Sequence, residues 1–526
     1  ESRSPWFGAP LAKAALPSYR EGLAAFARLD STRAIESLRA AVAADGEQAV
    51  VRSTLALALS LAGHDALARA EGQKALASAG GHDSLFQARA LPRESRLLVE
   101  AVAAGTSGRR SQESDLLRTL WLLQPNDAEI GLLLSARLTA NGESQEGLAV
   151  AEKVAAMGAP RTPSGRGVRR GDDAPQVRAE LQALEALRIL GRPNDLLARA
   201  PKLVTAAESA NLPMVVARAL LLWSWASDAG GDVAKSRDLA ARALALYRHQ
   251  NEAIGMARAH LQICTSYLRE RLVDPAEAAC LESLRLERRA GHASGVARVL
   301  NNLGIVRDYR GEWTKARETI AEALAIERGG IFGDVANEAR YLFNLANLDS
   351  ELGRLNDAEE SFRRLATIDK ETGDALGRVR ALGGLALTLR KKGELAQAEA
   401  ALDEADRELG GRGSERDRFM ISWIRGDLAS HAGDAAAARE WYDRTEAFAA
   451  QAGRESELPR LRAMRLVSTP PTIASCTAFS ASARELERLQ DPLAEEFVLL
   501  ESSCWSEAGS LAKARFAVAR VESKLE

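Results

Sequence analysis

A repeat of about 40 residues constrains the fold of this chain more than any other sequence feature. Short turns that join a small residue to a polar one recur 40 residues apart from 191 to 311, and then at intervals of 42, 40 and 40. Arg271 fills the one slot without glycine, and the other turn residues are Gly191, Gly231, Gly311, Gly353, Gly393 and Gly433. A fixed period of this length predicts stacked repeats rather than several globular domains.

Each repeat has the pattern of a helix–turn–helix unit. Pairs of a leucine and a small residue, such as Leu303 and Gly304, lie seven or eight residues before a turn. Alanines such as Ala316 lie five residues after a turn. Small side chains let two helices approach closely, and glycine readily adopts the positive φ that ends a helix. The pattern predicts an all-α fold.

The first third of the chain has a shorter period. Gly108 and Gly142 are 34 residues apart, and earlier units surround Gly63 and the segment from Ala34 to Ala41. Together with the longer repeats, these units predict about twelve stacked antiparallel helix pairs.

The segments NNLG (301–304) and RGEWTKARETIAEALAI (310–326) resemble the tetratricopeptide repeat, in the 40-residue variety found in kinesin light chains, spindle-orientation adaptors and some bacterial activator sensor domains. The resemblance implies a right-handed superhelical solenoid whose first helices line a concave groove. Leu365 departs from the pattern, and the matching positions are Ala316, Ile320, Ala323, Ala358 and Phe362.

A second resemblance covers most of the chain and is carried by two N-terminal segments. The segments LPRESRLLVE (91–100) and QPNDAEIGLLLSARLTANGESQEGLAV (124–150) are similar to the C-terminal tetratricopeptide region of certain bacterial Ser/Thr kinases and winged-helix regulators. This resemblance implies that the chain is the regulatory part of a larger signalling protein, with an attached kinase or DNA-binding domain. We expect the chain, which begins at Glu1, to be a portion of such a protein.

Two breaks divide the array into predicted regions. A Gly/Pro/Arg-rich segment at 158–176 predicts a surface loop, because proline and glycine interrupt helices. A second break, STPPTIAS, begins at 468 and precedes an atypical end. The predicted organisation is irregular and 34-residue repeats at 1–157, the loop at 158–176, regular 40-residue repeats at 177–467, and a break with a degenerate capping repeat at 468–526.

Composition and charge exclude some function classes. The 70 Lys and Arg side chains against 72 Asp and Glu give a net charge of -2, which disfavours a nucleic-acid-binding chain. The longest nearly apolar stretch, 214–226, contains Arg218 and is too short to cross a bilayer, so membrane insertion is not expected.

We expect a non-enzymatic chain without cofactor or metal. The six histidines are isolated, and the sequence contains no HExxH, GxSxG or phosphate-loop motif. Cys264 and Cys280 fall at helix-packing positions, which predicts buried free thiols. Their pattern leaves the compartment open: the cytoplasm is favoured, and an extracytoplasmic portion of a membrane-anchored protein is the alternative.

The candidate site is a ladder of arginines and amides on the first helix of successive repeats. The residue thirteen positions before each turn is arginine in six consecutive repeats: Arg178, Arg218, Arg258, Arg298, Arg340 and Arg380. Four residues later, on the same helix face, an amide occurs in four repeats, and a further amide follows on one of these helices. These amides are Gln182, Gln262, Asn302, Asn344 and Asn347.

Two interpretations of the ladder stay open. If it lines the groove, arginines would bind carboxylates and amides would bind peptide backbone, which predicts a scaffold for an extended acidic segment. Alternatively, the arginines pair with acidic residues of neighbouring repeats, such as Asp374 or Glu338, and are architectural. A small-molecule effector sensor of a regulator or kinase is the alternative function, which a compact pocket with converging polar groups would support.

Overall fold

A computed structural model of the protein describes residues 5–7, 11–46, 48–79, 91–157, 174–329, 335–410, 415–449, 451, 457–489 and 494–525. These residues form one short 3-10 helix, Pro5–Phe7, and 26 α-helices, with no β-strand among them. Contacts divide the chain into two compact units, unit 1 from Glu1 to Asp334 and unit 2 from Val335 to Glu526. The predicted all-α helical-repeat fold is confirmed.

Unit 1 contains sixteen of the described helices. They are α1 (Leu16–Ala27), α2 (Ser31–Ala44), α3 (Ala49–Leu61), α4 (Asp65–Ser78), α5 (Arg93–Thr106), α6 (Arg110–Leu123), α7 (Ala128–Ala140), α8 (Ser144–Ala155), α9 (Ala174–Ile189), α10 (Pro193–Ser209), α11 (Pro213–Ala229), α12 (Val233–His249), α13 (Ala253–Arg269), α14 (Val273–Ala290), α15 (Ala293–Tyr309) and α16 (Trp313–Gly329).

Unit 2 contains the other ten. They are α17 (Val335–Glu351), α18 (Leu355–Thr372), α19 (Ala375–Lys391), α20 (Leu395–Leu409), α21 (Glu415–His431), α22 (Ala435–Ala449), α23 (Leu458–Val467), α24 (Ile473–Arg488), α25 (Ala494–Glu507) and α26 (Leu511–Leu525).

The helices pair in chain order. Each odd-numbered helix, called the A helix below, packs on the even-numbered B helix that follows it, and within each unit successive pairs pack on one another. The described residues therefore form thirteen pairs, close to the estimate of about twelve. The additional pair is α23 and α24, whose connection includes part of the segment 468–475 that the sequence marked as a break.

The turns between A and B helices follow the predicted spacing. The predicted turn glycines from Gly191 to Gly433 adopt positive φ angles of 65° to 88°. Arg271, which takes the slot without glycine, also has a positive φ of 56°. The repeat therefore keeps the same left-handed turn conformation even where the residue carries a side chain, although glycine adopts it more easily.

Close helix packing explains the small residues of the repeat. A Cβ at Gly304 would lie 2.3 Å from a side-chain carbon of Ile320 on the paired B helix, so only glycine fits there. The predicted packing positions Ala316, Ile320, Ala358 and Phe362 are all buried. These contacts place the apolar core between the A and B helices.

The cysteine prediction was wrong, because Cys264 and Cys280 are bonded to each other. They join α13 to α14 within one helix pair, with their Cα atoms 5.4 Å apart. Both residues are buried, as predicted, but the close approach of the paired helices brings their sulfur atoms together. A second disulfide, Cys476–Cys504, joins α24 to α25 and so links two successive pairs.

The predicted domain boundaries remain predictions. Residues 158–173 of the predicted loop lie outside the described residues, and Ala174 begins α9. The boundary between the compact units, at 334 and 335, lies within the region predicted as regular repeats. Among the described helices, none is both long enough and apolar enough to cross a membrane.

Candidate functional site

The first ladder arginine of unit 1 forms an ion pair with an earlier repeat. The Nη1 and Nη2 atoms of Arg178, on α9, donate to the two carboxylate oxygens of Glu129, on α7, at 2.6 and 3.0 Å. Arg178 is only 7% exposed. Because a bidentate pair fixes the orientation of both side chains, this contact ties two neighbouring A helices together.

Arg218 repeats this arrangement one helix pair later. Its Nη2 donates to Oε1 of Glu185, on α9, at 2.8 Å, and Glu185 also lies 3.8 Å from Arg188. Burial alone would raise the pKa of the Glu185 carboxyl, but the positive charges of Arg218, Arg188 and Arg258 hold its pKa below the ordinary value. Glu185 is therefore an ionised centre for several guanidinium groups.

The next two ladder arginines differ from the first two. Arg258, on α13, is exposed and forms no ion pair within the described part of the chain, although its charge acts on Glu185. Arg298, on α15, is half-buried and interacts with the surrounding structure. Arg258 is therefore the ladder cation of unit 1 most available to a ligand.

The amides of unit 1 connect helices. Gln262 Nε2 donates to Ser236 Oγ of α12 at 3.2 Å, and Asn302 Nδ2 donates to Thr265 Oγ1 of α13 at 3.0 Å. Gln182 is half-buried and lines a cavity. Two of these three amides thus have structural partners, as the architectural interpretation requires.

That cavity has a volume of about 260 Å³ and lies between the N-terminal helices and the A helices α7, α9 and α11. Its apolar side includes Trp6, Leu29 and Leu61, and its polar side includes Gln182, Glu185, Arg188 and Arg218. The cavity lining thus combines apolar side chains with carboxylate and guanidinium groups.

The turn between α3 and α4 makes a further long-range contact within unit 1. A Cβ at Gly63 would lie 2.9 Å from the ring of His292, which precedes α15. His292 Nδ1 in turn lies 2.7 Å from Oε2 of the buried Glu287. The N-terminal repeats therefore lie against later repeats of the same unit.

The ladder arginines of unit 2 have weaker partners. Arg340, on α17, donates from Nη2 to Asn337 Oδ1 at 2.8 Å, and Arg380, on α19, donates from Nε to the Leu376 carbonyl oxygen at 3.1 Å. Both side chains are exposed, and both bonds stay within the arginine's own helix. Most of each guanidinium group therefore remains available to a ligand.

The unit 2 amides lie on the same helix as Arg340. Asn344, one turn after Arg340, is half-buried and has a partner in the surrounding structure. Asn347 is exposed and donates to the Phe343 carbonyl oxygen at 2.8 Å. The helix α17 that carries Arg340 and these amides contacts α19, which carries Arg380.

A buried carboxyl lies beside this surface. Burial and the nearby Asp374 raise the pKa of Asp369 to about 6, and Arg380 acts in the opposite direction. Asp374 accepts a hydrogen bond from the Gly377 backbone N–H at 2.8 Å and so caps α19. Asp374, which the sequence suggested as an arginine partner, thus has a helix-capping role.

Several predicted site residues are brought together, but in two separate groups. Arg178, Gln182 and Arg218 line one cavity of unit 1, whereas Arg340, Asn344, Asn347 and Arg380 lie on α17 and α19 of unit 2. A single ladder through all six repeats stays a prediction. Among the described residues, no group of three or more His, Cys, Asp or Glu side chains is arranged to hold a metal ion.

Sequence reasoning missed the acidic partners Glu129 and Glu185. Glu129 lies thirteen residues before Gly142, in the same register as the ladder arginines, so extending the alignment by one repeat would have found it. Glu185 lies outside that register, six residues before Gly191, and the sequence offered no signal for it.

Comparisons with known proteins agree with the helix pairs. Residues 339–372, which include most of α17 and all of α18, match the tetratricopeptide repeat family model. No curated protein matches the chain.

Similar solved structures include a Rap protein complexed with competence and sporulation factor, which is 14% identical, with a TM-score of 0.45 over 76% of this chain and 98% of that one. The apo form of RapI is 15% identical, with a TM-score of 0.44 over 69% and 99% of the chains. BtubC from P. vanneervenii is 18% identical, with a TM-score of 0.33 over 44% and 90%. TM-scores of this size mark a distant likeness.

The family model matches 34 of the 526 residues of the chain, which is one helix pair. The matched repeat supports a coarse role as a protein-interaction scaffold. The helix pair α17 and α18 is therefore similar to a tetratricopeptide repeat, and the neighbouring helix pairs share its helix–turn–helix arrangement.

Proposed function

We propose that the chain is a non-enzymatic scaffold that binds an extended acidic segment of a partner protein on the A helices of unit 2. The site consists of Arg340, Asn344, Asn347 and Arg380, together called the α17–α19 surface. The observation that carries the proposal is that both arginines are exposed and bond only within their own helices. They lie at the same register position of neighbouring repeats, one of which matches the tetratricopeptide family.

The chemistry of these side chains favours an acidic, extended ligand. Guanidinium groups bind carboxylates with two parallel hydrogen bonds, and carboxamides both donate to and accept from a peptide backbone. An extended strand advances ~3.3 Å per residue, so a short acidic segment reaches both A helices. Arg258 of unit 1 has similar exposure, whereas Arg178 and Arg218 are already paired with carboxylates.

The test is a fluorescence anisotropy titration of the full chain with a labelled peptide of about twelve residues, in which Asp and Glu alternate with Ser. Arg340→Ala/Arg380→Ala should weaken binding about tenfold, since each exposed charge pair contributes up to about 1 kcal/mol and a loss of ~1.4 kcal/mol corresponds to tenfold. Rising salt should weaken binding further.

A matched control is available on the B helices of the same unit. Arg364, on α18, and Arg407, on α20, are also exposed, and Arg407 also bonds within its own helix. Arg364→Ala/Arg407→Ala removes the same charge and should leave peptide binding within about twofold of wild type. Equal weakening by both double variants would show an effect of net charge and would refute the proposed surface.

One observation favours a second function, the small-molecule effector sensor. The cavity of unit 1 confines Gln182, Glu185, Arg188 and Arg218 against an apolar wall, which is the arrangement of a compact ligand pocket. Thermal-shift screening with small carboxylates would test it. A ligand of this pocket should raise the melting temperature of wild type and have no such effect on Gln182→Leu. An attached kinase or DNA-binding domain, as the second resemblance implied, stays a prediction.

A further inference from the structure

The two edges of the repeat array in unit 1 carry different arrangements of charge. The turn edge is where an A helix ends and its B helix begins, at Gly231, Arg271 and Gly311. The junction edge is where a B helix ends and the next A helix begins, at the C-termini of α12 and α14. Both edges carry arginines in successive repeats, so a difference in how those arginines are paired points to a difference in role.

Arginines at the turn edge form ion pairs between repeats. Arg237, at the start of α12, donates to Glu270 at 2.5 Å, just before the next turn. Arg310, just before the following turn, lies 2.7 Å from both Asp274 and Glu277 at the start of α14. These charges are used to hold successive repeats in register.

Two of the three arginines at the junction edge have no such partner. Arg248, on α12, and Arg289, on α14, are exposed, and neither forms an ion pair with any described residue. Arg288 lies one repeat after Arg248, at the equivalent position. Its guanidinium group lies 3.9 Å from the Glu322 carboxylate. This edge therefore presents cations to solvent on two neighbouring B helices.

The acidic residue nearest to these arginines in sequence does not face solvent with them. Glu287, directly before Arg288, is fully buried, and its carboxylate forms a hydrogen bond with the His292 ring. The last two turns of α12, from Ala243 to His249, contain no acidic residue. Glu282 lies close by but is paired with Arg285 at 2.6 Å. Two further carboxylates of this edge are also engaged, because Glu252 accepts a hydrogen bond from the Gly255 backbone N–H and the exposed Glu322 lies near Arg288. Arg248 and Arg289 therefore remain as cations without an ion-pair partner among the described residues.

A stabilising role at helix ends explains part of this pattern. Cations near a helix C-terminus interact favourably with the helix dipole, and Arg248, Arg288 and Arg289 all lie in last turns. That role does not require exposed arginines without an ion pair, such as Arg248 and Arg289, on two neighbouring B helices, and it predicts a loss of stability when the charges are removed. The two roles are therefore separable by experiment.

We propose that the junction edge of unit 1, formed by Arg248, Arg288 and Arg289, is a second docking surface and binds an acidic segment of a partner protein. The argument is charge complementarity: the guanidinium groups of Arg248 and Arg289, which form no ion pair with described residues and lie on successive B helices, match carboxylates along an extended chain. A protein partner is favoured over nucleic acid because the whole chain has a net charge of -2. This surface is distinct from the α17–α19 surface and does not depend on it.

The experiment compares two charge-reversed full-length variants. Arg248→Glu/Arg289→Glu changes the junction edge, and Arg39→Glu/Arg96→Glu makes the same change of charge at exposed positions on α2 and α5. Binding of the labelled Asp/Glu/Ser peptide is measured by anisotropy in the Arg340→Ala/Arg380→Ala background, so that failure of the α17–α19 surface does not affect the result. The junction-edge variant should bind at least about tenfold more weakly than its background, and the control should change by no more than about twofold.

Several outcomes would overturn the inference. They are absence of peptide binding in the background protein, unchanged binding in the junction-edge variant, and equal loss in both variants. Binding of this edge to phosphatidylserine vesicles but not to the peptide would assign it to an anionic membrane instead.

Arg248→Lys/Arg289→Lys retains the helix-end charge, so this variant should melt like wild type. It should bind the peptide about threefold more weakly, because lysine cannot form the two parallel hydrogen bonds that arginine forms with a carboxylate. Wild-type affinity together with lowered melting in the Glu variant would show that the arginines serve only the helix ends.

Discussion

Unit 1 and unit 2 place the same residue at the same repeat position and give it different surroundings. In unit 1, Arg178 and Arg218 donate to Glu129 and Glu185 on preceding A helices. In unit 2, Arg340 and Arg380 donate only to groups of their own helices and remain exposed. Register therefore fixes where a ladder arginine lies, whereas a carboxylate on the neighbouring repeat decides whether the arginine is structural or available to bind.

The largest predicted loss of stability concerns the disulfides, which are a second contrast between the units. The unit 1 disulfide lies within one helix pair, whereas the unit 2 disulfide joins two successive pairs. Cys264→Ser/Cys280→Ser should lower the stability of unit 1 by about 3 kcal/mol, because it removes a cross-link that closes a loop of this size. Chemical denaturation measures the loss. Cys476→Ser/Cys504→Ser is the control and should affect only unit 2.

Mass spectrometry under non-reducing conditions tests the same point without mutation. We expect no free thiol, and detection of four reactive cysteines would contradict both disulfides. Because disulfides persist mainly in oxidising environments, their presence would favour the extracytoplasmic alternative for the location of the chain.

The next prediction tests the ladder contrast directly. Arg178→Ala should lower stability by about 2 kcal/mol, because it breaks a pair whose guanidinium is buried and leaves Glu129 without its partner. Arg380→Ala should change stability by less than about 0.5 kcal/mol, since the side chain is exposed. Urea denaturation of both variants measures the difference, and equal losses would remove the basis for assigning the two arginines different roles.

Asp369 gives unit 2 a distinctive pH dependence. Its pKa is raised to about 6 in the folded chain from an ordinary 3.8, so the folded state binds its proton more tightly than the unfolded state. Stability should therefore fall as pH rises from about 4 to about 6 and then level off. Asp369→Asn should remove this slope and add about 1 kcal/mol at neutral pH. Melting curves across this range measure the effect, and an unchanged slope would contradict it.

Glu185 gives unit 1 a dependence of the opposite sign and smaller size. Its pKa is held below the ordinary 4.5 by neighbouring arginines, so its contribution is complete above that value and is lost as pH falls through the lowered folded pKa. Glu185→Gln should cost less than about 1 kcal/mol at neutral pH and should make unit 1 less sensitive to acid. A variant that loses as much stability on acidification as wild type would show that Glu185 is not the responsible group.

Much of the fold was predictable from the sequence, because turn residues and small packing residues recur at a fixed spacing. Arg271 illustrates this well: its position alone predicted a turn, and its positive φ confirms it. The disulfides were not predictable, since a buried packing position suits a thiol as well as a bonded sulfur.

The candidate site was less predictable than the fold. Arg178 and Arg380 are equivalent in the sequence pattern, yet their roles depend on which side chain the neighbouring repeat places nearby. Glu185, which engages Arg218, lies outside the register of the ladder and is recognisable only in three dimensions.

The most direct test of the account is a titration of the labelled acidic peptide against wild type, Arg340→Ala/Arg380→Ala and Arg178→Ala, at a temperature where all three are folded. We predict that the unit 2 double variant binds about tenfold more weakly, whereas Arg178→Ala binds within about twofold of wild type despite its lower stability. Weakened binding by Arg178→Ala together with wild-type binding by the double variant would contradict the account, because the paired arginine and not the exposed ones would then contact the ligand.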